Sequence, residues 1–315
     1  MYIGIDLGGT NIAVGVVDKK GNILHKDSVS TRASRHYSEI MRDMAELSLK
    51  IVADAKVHIE DIESVGIGSP GTPDNDRGLL VYSNNINFYN APIRQEMQRY
   101  INLPVYIDND ANCAALAEAI AGGAKDVNDS ITITLGTGIG SGIIINKKIY
   151  TGFNFAGGEL GHTVIQINGE PCTCGRKGCW ESYASATALI RQTKEAAKEN
   201  PESLLYKMIN GDMDKVRGKT AFDAAKAGDP IGQKVVDNYI SYLAIGITNV
   251  INIFQPEVLL IGGGICKEGD YLLNPLREQV AQEVYSRDIA QTQIKTAQLG
   301  NDAGIIGAAM LGKRT

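Results

Sequence analysis

Short apolar runs that stop at glycine turns set the rhythm of this chain. Tyr2 to Leu7 is almost wholly apolar and ends in Gly8-Gly9-Thr10; Asn11 to Val17 returns, and a third strand follows the turn Lys19-Lys20-Gly21-Asn22. Apolar runs of this length bounded by turn residues predict buried strands, here arranged as a β-meander. The pattern recurs about 130 residues later, in Ile131 to Leu135, Gly136-Thr137-Gly138-Ile139-Gly140, Ser141 to Ile145, the turn Asn146-Lys147-Lys148 and Ile149-Tyr150. Such a repeat predicts a duplicated domain, two related α/β halves facing one another across a cleft. The repeat alone puts the boundary near residue 110, giving a smaller domain of residues 1–110 with 300–315 and a larger one of 111–299.

Between the meanders the pattern predicts a charged helix over about Tyr37 to Lys56, a strand through Ser64 to Gly68, a polar loop, a helix near Pro92 to Tyr100, the strand Val105 to Ile107 and a helix from near Ala111. Beyond Glu181 helices dominate, interrupted at Asn200-Pro201 and Gly228-Asp229-Pro230, until the strand Val258 to Ile261 runs into Gly262-Gly263-Gly264; a small-residue helix, Ala303 to Leu311, closes the chain.

With 43% hydrophobic and 21% charged residues among 315, the composition is that of a packed globular protein. A formal net charge of -5 supplies no basic field for nucleic acid or anionic lipid, so neither is expected as a partner. The N-terminus lacks a signal-peptide pattern, so a cytoplasmic location is expected. The longest uncharged stretch, Tyr239 to Pro256, carries Asn249, Asn252 and Gln255 and reads as a buried helix, not a membrane span.

Glycine turns directly after apolar strands let backbone N–H groups approach a polyphosphate without an intervening side chain. Three occur, Gly8-Gly9-Thr10, Gly136-Thr137-Gly138 and Gly262-Gly263-Gly264, although each taken singly is also an ordinary strand-end turn. Asp6, just before the first, could hold magnesium through water or simply serve the turn. Gly66-Ile67-Gly68-Ser69-Pro70-Gly71 fits the dinucleotide fingerprint, but Pro70, Pro73 and Asp74-Asn75-Asp76-Arg77-Gly78 follow where that motif needs a helix. No Walker-type P-loop occurs.

Three of the five cysteines crowd together, and His162, Cys172, Cys174 and Cys179 offer the four ligands of a closed, structural zinc site; a disulfide with a spare thiol is the alternative. Glu159 and Glu181 flank the cluster. A loop with so little apolar content is expected to depend on the metal to position these two carboxylates, which, with the imidazole, suit recognition of sugar hydroxyls; otherwise they are solvated loop charges. Asp110, where a strand becomes a helix, is a helix cap by residue type. Beside phosphate turns and sugar ligands it also suits the aspartate that orients an attacking hydroxyl and takes its proton. Cys113 and Cys266 have no functional reading.

Asp6-Leu7-Gly8-Gly9-Thr10-Asn11, Asn109-Asp110-Ala111-Asn112, Gly157-Gly158-Glu159-Leu160-Gly161-His162 and Cys172-Thr173-Cys174-Gly175-Arg176-Lys177-Gly178-Cys179-Trp180-Glu181 together resemble the ROK family of bacterial sugar kinases and sugar-responsive repressors, over nearly the whole chain. The resemblance implies the two-domain actin-like and hexokinase-like ATPase fold, with ATP and sugar as ligands, magnesium and structural zinc as cofactors, and assembly as homodimers or homotetramers. It implies that Asp110 is the catalytic base, that Asn109, Glu159, His162 and Glu181 bind the sugar, with Asn85 and Gly71 added, and that Asp6, Asn11 and the three glycine turns serve ATP. His162 then serves zinc and sugar at once. Cys172 to Glu181 followed by Ser182-Tyr183-Ala184-Ser185 is most similar to glucokinases within the family and next to N-acetylmannosamine kinases. Phosphorylation of glucose at its 6-hydroxyl is therefore expected, with another hexose or a non-catalytic sugar sensor as alternatives. Family repressors carry a winged-helix domain before the first strand, which here begins at Tyr2.

Overall fold

The computed structural model describes residues 1–83 and 86–313. The chain divides into two compact units, one formed by residues 1–132, 142–158 and 297–315 and the other by 133–141 and 159–296. The boundary expected near residue 110 thus falls inside the first unit.

The meander predicted at the N-terminus is present as β1 (Tyr2–Leu7), β2 (Asn11–Val17) and β3 (Ile23–Ser30), followed by α1 (Tyr37–Asp54) and β4 (Ser64–Ser69). β1 pairs antiparallel with β2 and parallel with β4, so its residues are covered on both sides, which is why it reads as an unbroken apolar run. The segment expected to be a polar loop instead holds a three-stranded sheet of β5 (Thr72–Asp74), β6 (Leu79–Ser83) and β7 (Phe88–Ala91). These strands are short and punctuated by Pro73 and Gly78, and only positions such as Leu80, Phe88 and Ala91 are buried, so no apolar run marks them.

Next come α2 (Ile93–Gln98), β8 (Val105–Asn109) and α3 (Asp110–Ala121), then the second meander, β9 (Ser130–Leu135), β10 (Ile139–Ile145) and β11 (Lys148–Ile149). Five helices follow, α4 (Glu181–Ala184), α5 (Ala186–Glu199), α6 (Leu204–Met208), α7 (Thr220–Lys226) and α8 (Pro230–Phe254). The chain ends with β12 (Val258–Gly262), α9 (Asp270–Glu283), β13 (Gln293–Thr296) and α10 (Ala303–Met310). The first five-stranded sheet has the order β3-β2-β1-β4-β8 and the second β11-β10-β9-β12-β13. In each, a meander is extended on the side of its first strand by two parallel strands, so the duplication inferred from the glycine turns holds for the whole sheet.

In the first unit, the buried face of α1, including Ile40, Met41, Met44 and Ile51 at helical spacing, packs with Ile3, Ile5, Val14 and Ile67 of the sheet. α10 approaches so closely that a Cβ on Gly66 would lie 1.7 Å from the Ala308 carbonyl oxygen, and one on Gly307 would lie 1.7 Å from that of Cys113. Small residues at these points let sheet, α3 and α10 meet backbone to backbone, and so fix where α3 begins. Glu118, wholly buried on α3, accepts backbone hydrogen bonds from Gly123 (2.8 Å), Gln298 (2.7 Å) and Leu299 (2.8 Å) and ties the approach to α10 to this helix.

In the second unit α8 is the long buried helix read from the uncharged stretch, capped by Asp229 with Pro230 in its first turn. Among the described residues no helix is long and apolar enough to cross a membrane.

Candidate active site

In the first unit, β8 delivers Asn109 and α3 begins at Asp110. The residue that caps α3 is Asn109, not Asp110: its side-chain oxygen accepts from the backbone N–H of Ala111 at 2.8 Å and of Asn112 at 3.3 Å. Its backbone is extended (φ -64, ψ 147), as a cap requires, whereas Asp110 already lies in the helix. The Asn109 amide donates one hydrogen to the Gly71 carbonyl at 3.1 Å, which leaves its second N–H for a ligand. Gly71 has φ +101, and a Cβ there would lie 2.1 Å from the Tyr82 carbonyl oxygen, so this position accepts only glycine. Asn85, expected beside it, lies outside the described residues.

One Asp110 oxygen accepts from Ala111 N–H at 2.8 Å, and the residue is exposed at the start of α3. Desolvation by the surrounding protein pushes its carboxyl above the ordinary range, against the opposing effect of hydrogen bonds from the backbone N–H groups of Ala111 and of Asp110 itself. Asp6, at the end of β1, is pushed up to about 6, first by burial and then by the negative charge of Asp110. Its carboxylate rests on the first turn of α10, where a Cβ on Gly304 would lie 2.5 Å from Oδ2. Asp6, partly buried, and Asp110, exposed, repel one another and form a donor set suited to a divalent cation held directly or through water. Cys113 lies behind them, fully buried, its thiol pushed well above the usual range by burial and by Asp108, Asp6 and Asp110; it stays neutral. Gly8, Gly9 and Thr10 form the β1–β2 turn, closed by Gly8 N–H on the Asn11 carbonyl at 3.0 Å; Thr10 and Asn11 are exposed.

In the second unit, Gly136-Thr137-Gly138 makes the corresponding β9–β10 turn, closed by Gly136 N–H on the Gly138 carbonyl at 3.0 Å. Nothing lies within 4 Å of a Cβ placed on Gly136 or on Gly264, so the backbone is open to a ligand at both. Gly263, at φ +111, touches this turn's base, because a Cβ there would be 2.1 Å from the Leu135 carbonyl oxygen. Gly262-Gly263-Gly264 and the β9–β10 turn are thus neighbours.

His162, Cys172, Cys174 and Cys179 place one ligand atom each within 4.8 Å of one another. Cys172 Sγ is 3.5 Å from His162 Nδ1 and Cys174 Sγ is 3.6 Å from Cys179 Sγ. Metal–sulfur bonds of about 2.3 Å in a tetrahedron require edges of about 3.8 Å, so the donor set fits zinc. All the thiols are free, so the disulfide alternative is not realised. With Nδ1 on the sulfur side, Nε2 of His162 remains for a ligand.

The loop does not rely on the metal alone. Trp180, wholly buried between Cys179 and Glu181, donates its indole N–H to the Tyr242 carbonyl at 2.9 Å and lies flat on α8, where a Cβ on Gly246 would come within 2.0 Å of the ring. The expectation that packing contributes little here is therefore corrected; Trp180 was legible in the sequence, but its burial partner, 66 positions away at Gly246, was not. Glu181 Oε2 accepts from the Ile139 backbone N–H at 2.9 Å, and Oε1 lies 3.4 Å from the Thr173 hydroxyl. Glu159 is exposed and precedes the short turn Leu160–His162, whose Leu160 N–H bonds the buried Ser141 hydroxyl at 3.2 Å.

The model of the family described as ROK matches residues 2–315. A glucokinase of Thermotoga maritima is 38% identical over 310 residues, covering 98% of this chain and 96% of that protein. The crystal structure of a ROK family glucokinase from Streptomyces griseus in complex with glucose and AMPPNP is 36% identical with a TM-score of 0.82, covering 100% of this chain and 99% of that one. A xylose repressor of Caldicellulosiruptor bescii is 32% identical over 305 residues, 97% of this chain but 76% of the repressor.

Proposed function

This chain belongs to the ROK family, and from that premise we propose that it is a sugar kinase transferring the γ-phosphoryl group of ATP to the 6-hydroxyl of glucose. The observation that carries the reading is full-length similarity to a glucokinase solved with glucose and AMPPNP, joined to an exposed Asp110 at the start of α3, directly after the capping Asn109.

The sugar O6 forms a bond to the γ-phosphorus as the bond from phosphorus to the bridging oxygen breaks and ADP leaves. Asp110 orients the hydroxyl and takes its proton late, as a loose transition state requires. Desolvation by the surrounding protein, which raises its affinity for that proton, strengthens it as a base. Asn109, Glu159, His162 and Glu181 hold sugar hydroxyls, and Gly71 fixes Asn109 through its carbonyl. Asp6, Asn11 and the glycine turns receive the nucleotide, with Asp6 the carboxylate for its magnesium; that ion neutralises charge on the phosphates. Zinc on His162, Cys172, Cys174 and Cys179 is structural, with no open position for chemistry. A cytoplasmic location and assembly as a homodimer or homotetramer complete the reading.

The test is ADP formation with magnesium and ATP against glucose, N-acetylmannosamine, mannose, allose and fructose, compared by kcat/KM. Glucose is expected to lead; turnover with none of them would overturn the kinase reading in favour of a sugar sensor.

A further inference from the structure

Gly138 belongs to a turn that the proposed function assigns to ATP, yet its nearest neighbour is a carboxylate assigned to the sugar. A Cβ on Gly138 would lie 2.1 Å from Glu181 Oε2 and 2.9 Å from its Cδ, with no backbone atom in the way. The same oxygen takes the N–H of the next residue, Ile139, at 2.9 Å. The turn is therefore the seat on which Glu181 rests, and Glu181 in turn holds the start of β10.

We propose that Gly138 is a positioning residue for sugar binding: the absence of a side chain there lets Glu181 dock on the Ile139 amide, which presents Oε1 to the sugar and joins the sugar loop to the phosphate turn. The inference rests on the proposed sugar-binding role of Glu181. The geometry separates this glycine from its neighbours. At Gly263 an added Cβ meets backbone, at 2.1 Å from the Leu135 oxygen, and the fold must shift. At Gly136 it meets nothing within 4 Å. Of these three glycines, only Gly138 would meet the end of a flexible side chain, so the chain can fold around the substitution while the carboxylate is expelled.

The experiment is calorimetric titration of glucose into zinc-loaded protein without nucleotide, for the wild type, Gly138→Ala and, as a control at a glycine outside the site where an added Cβ also meets nothing within 4 Å, Gly218→Ala, with zinc content and Tm as checks on folding. Loss of a charge-assisted contact predicts glucose affinity about tenfold or more weaker in Gly138→Ala, and unchanged in Gly218→Ala. Equal affinity in Gly138→Ala and wild type would overturn the proposal alone; absence of glucose binding in the wild type would overturn the sugar reading and this proposal with it. If Gly138→Ala fails to fold, hydrogen exchange at the Ile139 amide tests the same contact. Glu181→Ala should accelerate it about tenfold or more, and an unchanged rate would overturn the proposal.

Discussion

Asn109 holds two structures together, capping α3 with its side-chain oxygen and donating its amide to the Gly71 carbonyl at 3.1 Å. It thereby sets the position of its neighbour Asp110 without taking part in proton transfer. Asn109→Ala should cost about 1 kcal/mol of stability from the lost cap. It should also raise the KM for glucose about tenfold or more, because a buried-site hydrogen bond is lost. Thermal unfolding and sugar titration of the kinetics check both; an unchanged Tm would remove the capping role.

Asp6 should make the ligand-free protein less stable at neutral pH than in mild acid. Its pKa is raised from an ordinary 3.8 to about 6, so between those values the folded state binds more protons than the unfolded one, and this group's contribution to stability falls as pH rises through that window. Asp6→Asn, which removes the charge, should stabilise the ligand-free protein at pH 8 by on the order of 2 kcal/mol. The same change should reduce kcat/KM for ATP about a hundredfold or more, since the proposed magnesium partner is gone. In the wild type kcat/KM for ATP should fall below about pH 6 as Asp6 protonates. A Tm for Asp6→Asn at pH 8 below that of the wild type would contradict the assignment.

Metal analysis should find about one zinc per chain. Trp180 is the chain's single tryptophan, buried beside the ligand Cys179, so its fluorescence reports the loop directly. Chelation should shift the emission to longer wavelength and abolish turnover, and zinc should restore both. Emission and activity that survive complete removal of metal would end the structural role given to it.

Trp180 and Gly246 should be coupled. Trp180→Ala should destabilise the protein by about 3–5 kcal/mol, the usual cost of emptying a buried aromatic site. Gly246→Ala, which drives a methyl into the ring, should cost about 1–3 kcal/mol. Both are expected to lower zinc affinity, although neither residue is a ligand; denaturant unfolding with a zinc competition assay measures the pair.

Much of this could be read in advance because the informative residues are dictated locally. β1 and β9 sit in sheet centres and are buried along nearly their whole length, the turns after them are glycine-rich, and the cysteine loop binds within one short segment. What escaped depends on partners distant in sequence. The sheet of β5, β6 and β7 is held by pairings such as Leu80 with Ala91 and has no run of its own to announce it. β13, a four-residue edge strand Gln293–Thr296 with polar residues at alternate positions, is equally silent. Asn109 and Asp110 are both good caps by type, and only the extended backbone of the first decides between them. The seating of Glu181 on Ile139 links residues 42 positions apart.

The most direct test of the central claim is single-turnover and steady-state phosphorylation of glucose by Asp110→Asn, with glucose affinity measured on the same protein. The account predicts turnover reduced by about 10²–10⁴, the usual contribution of a positioned base, with glucose affinity within a few-fold of the wild type. Turnover near the wild-type rate would contradict it and require the proton of the attacking hydroxyl to go elsewhere.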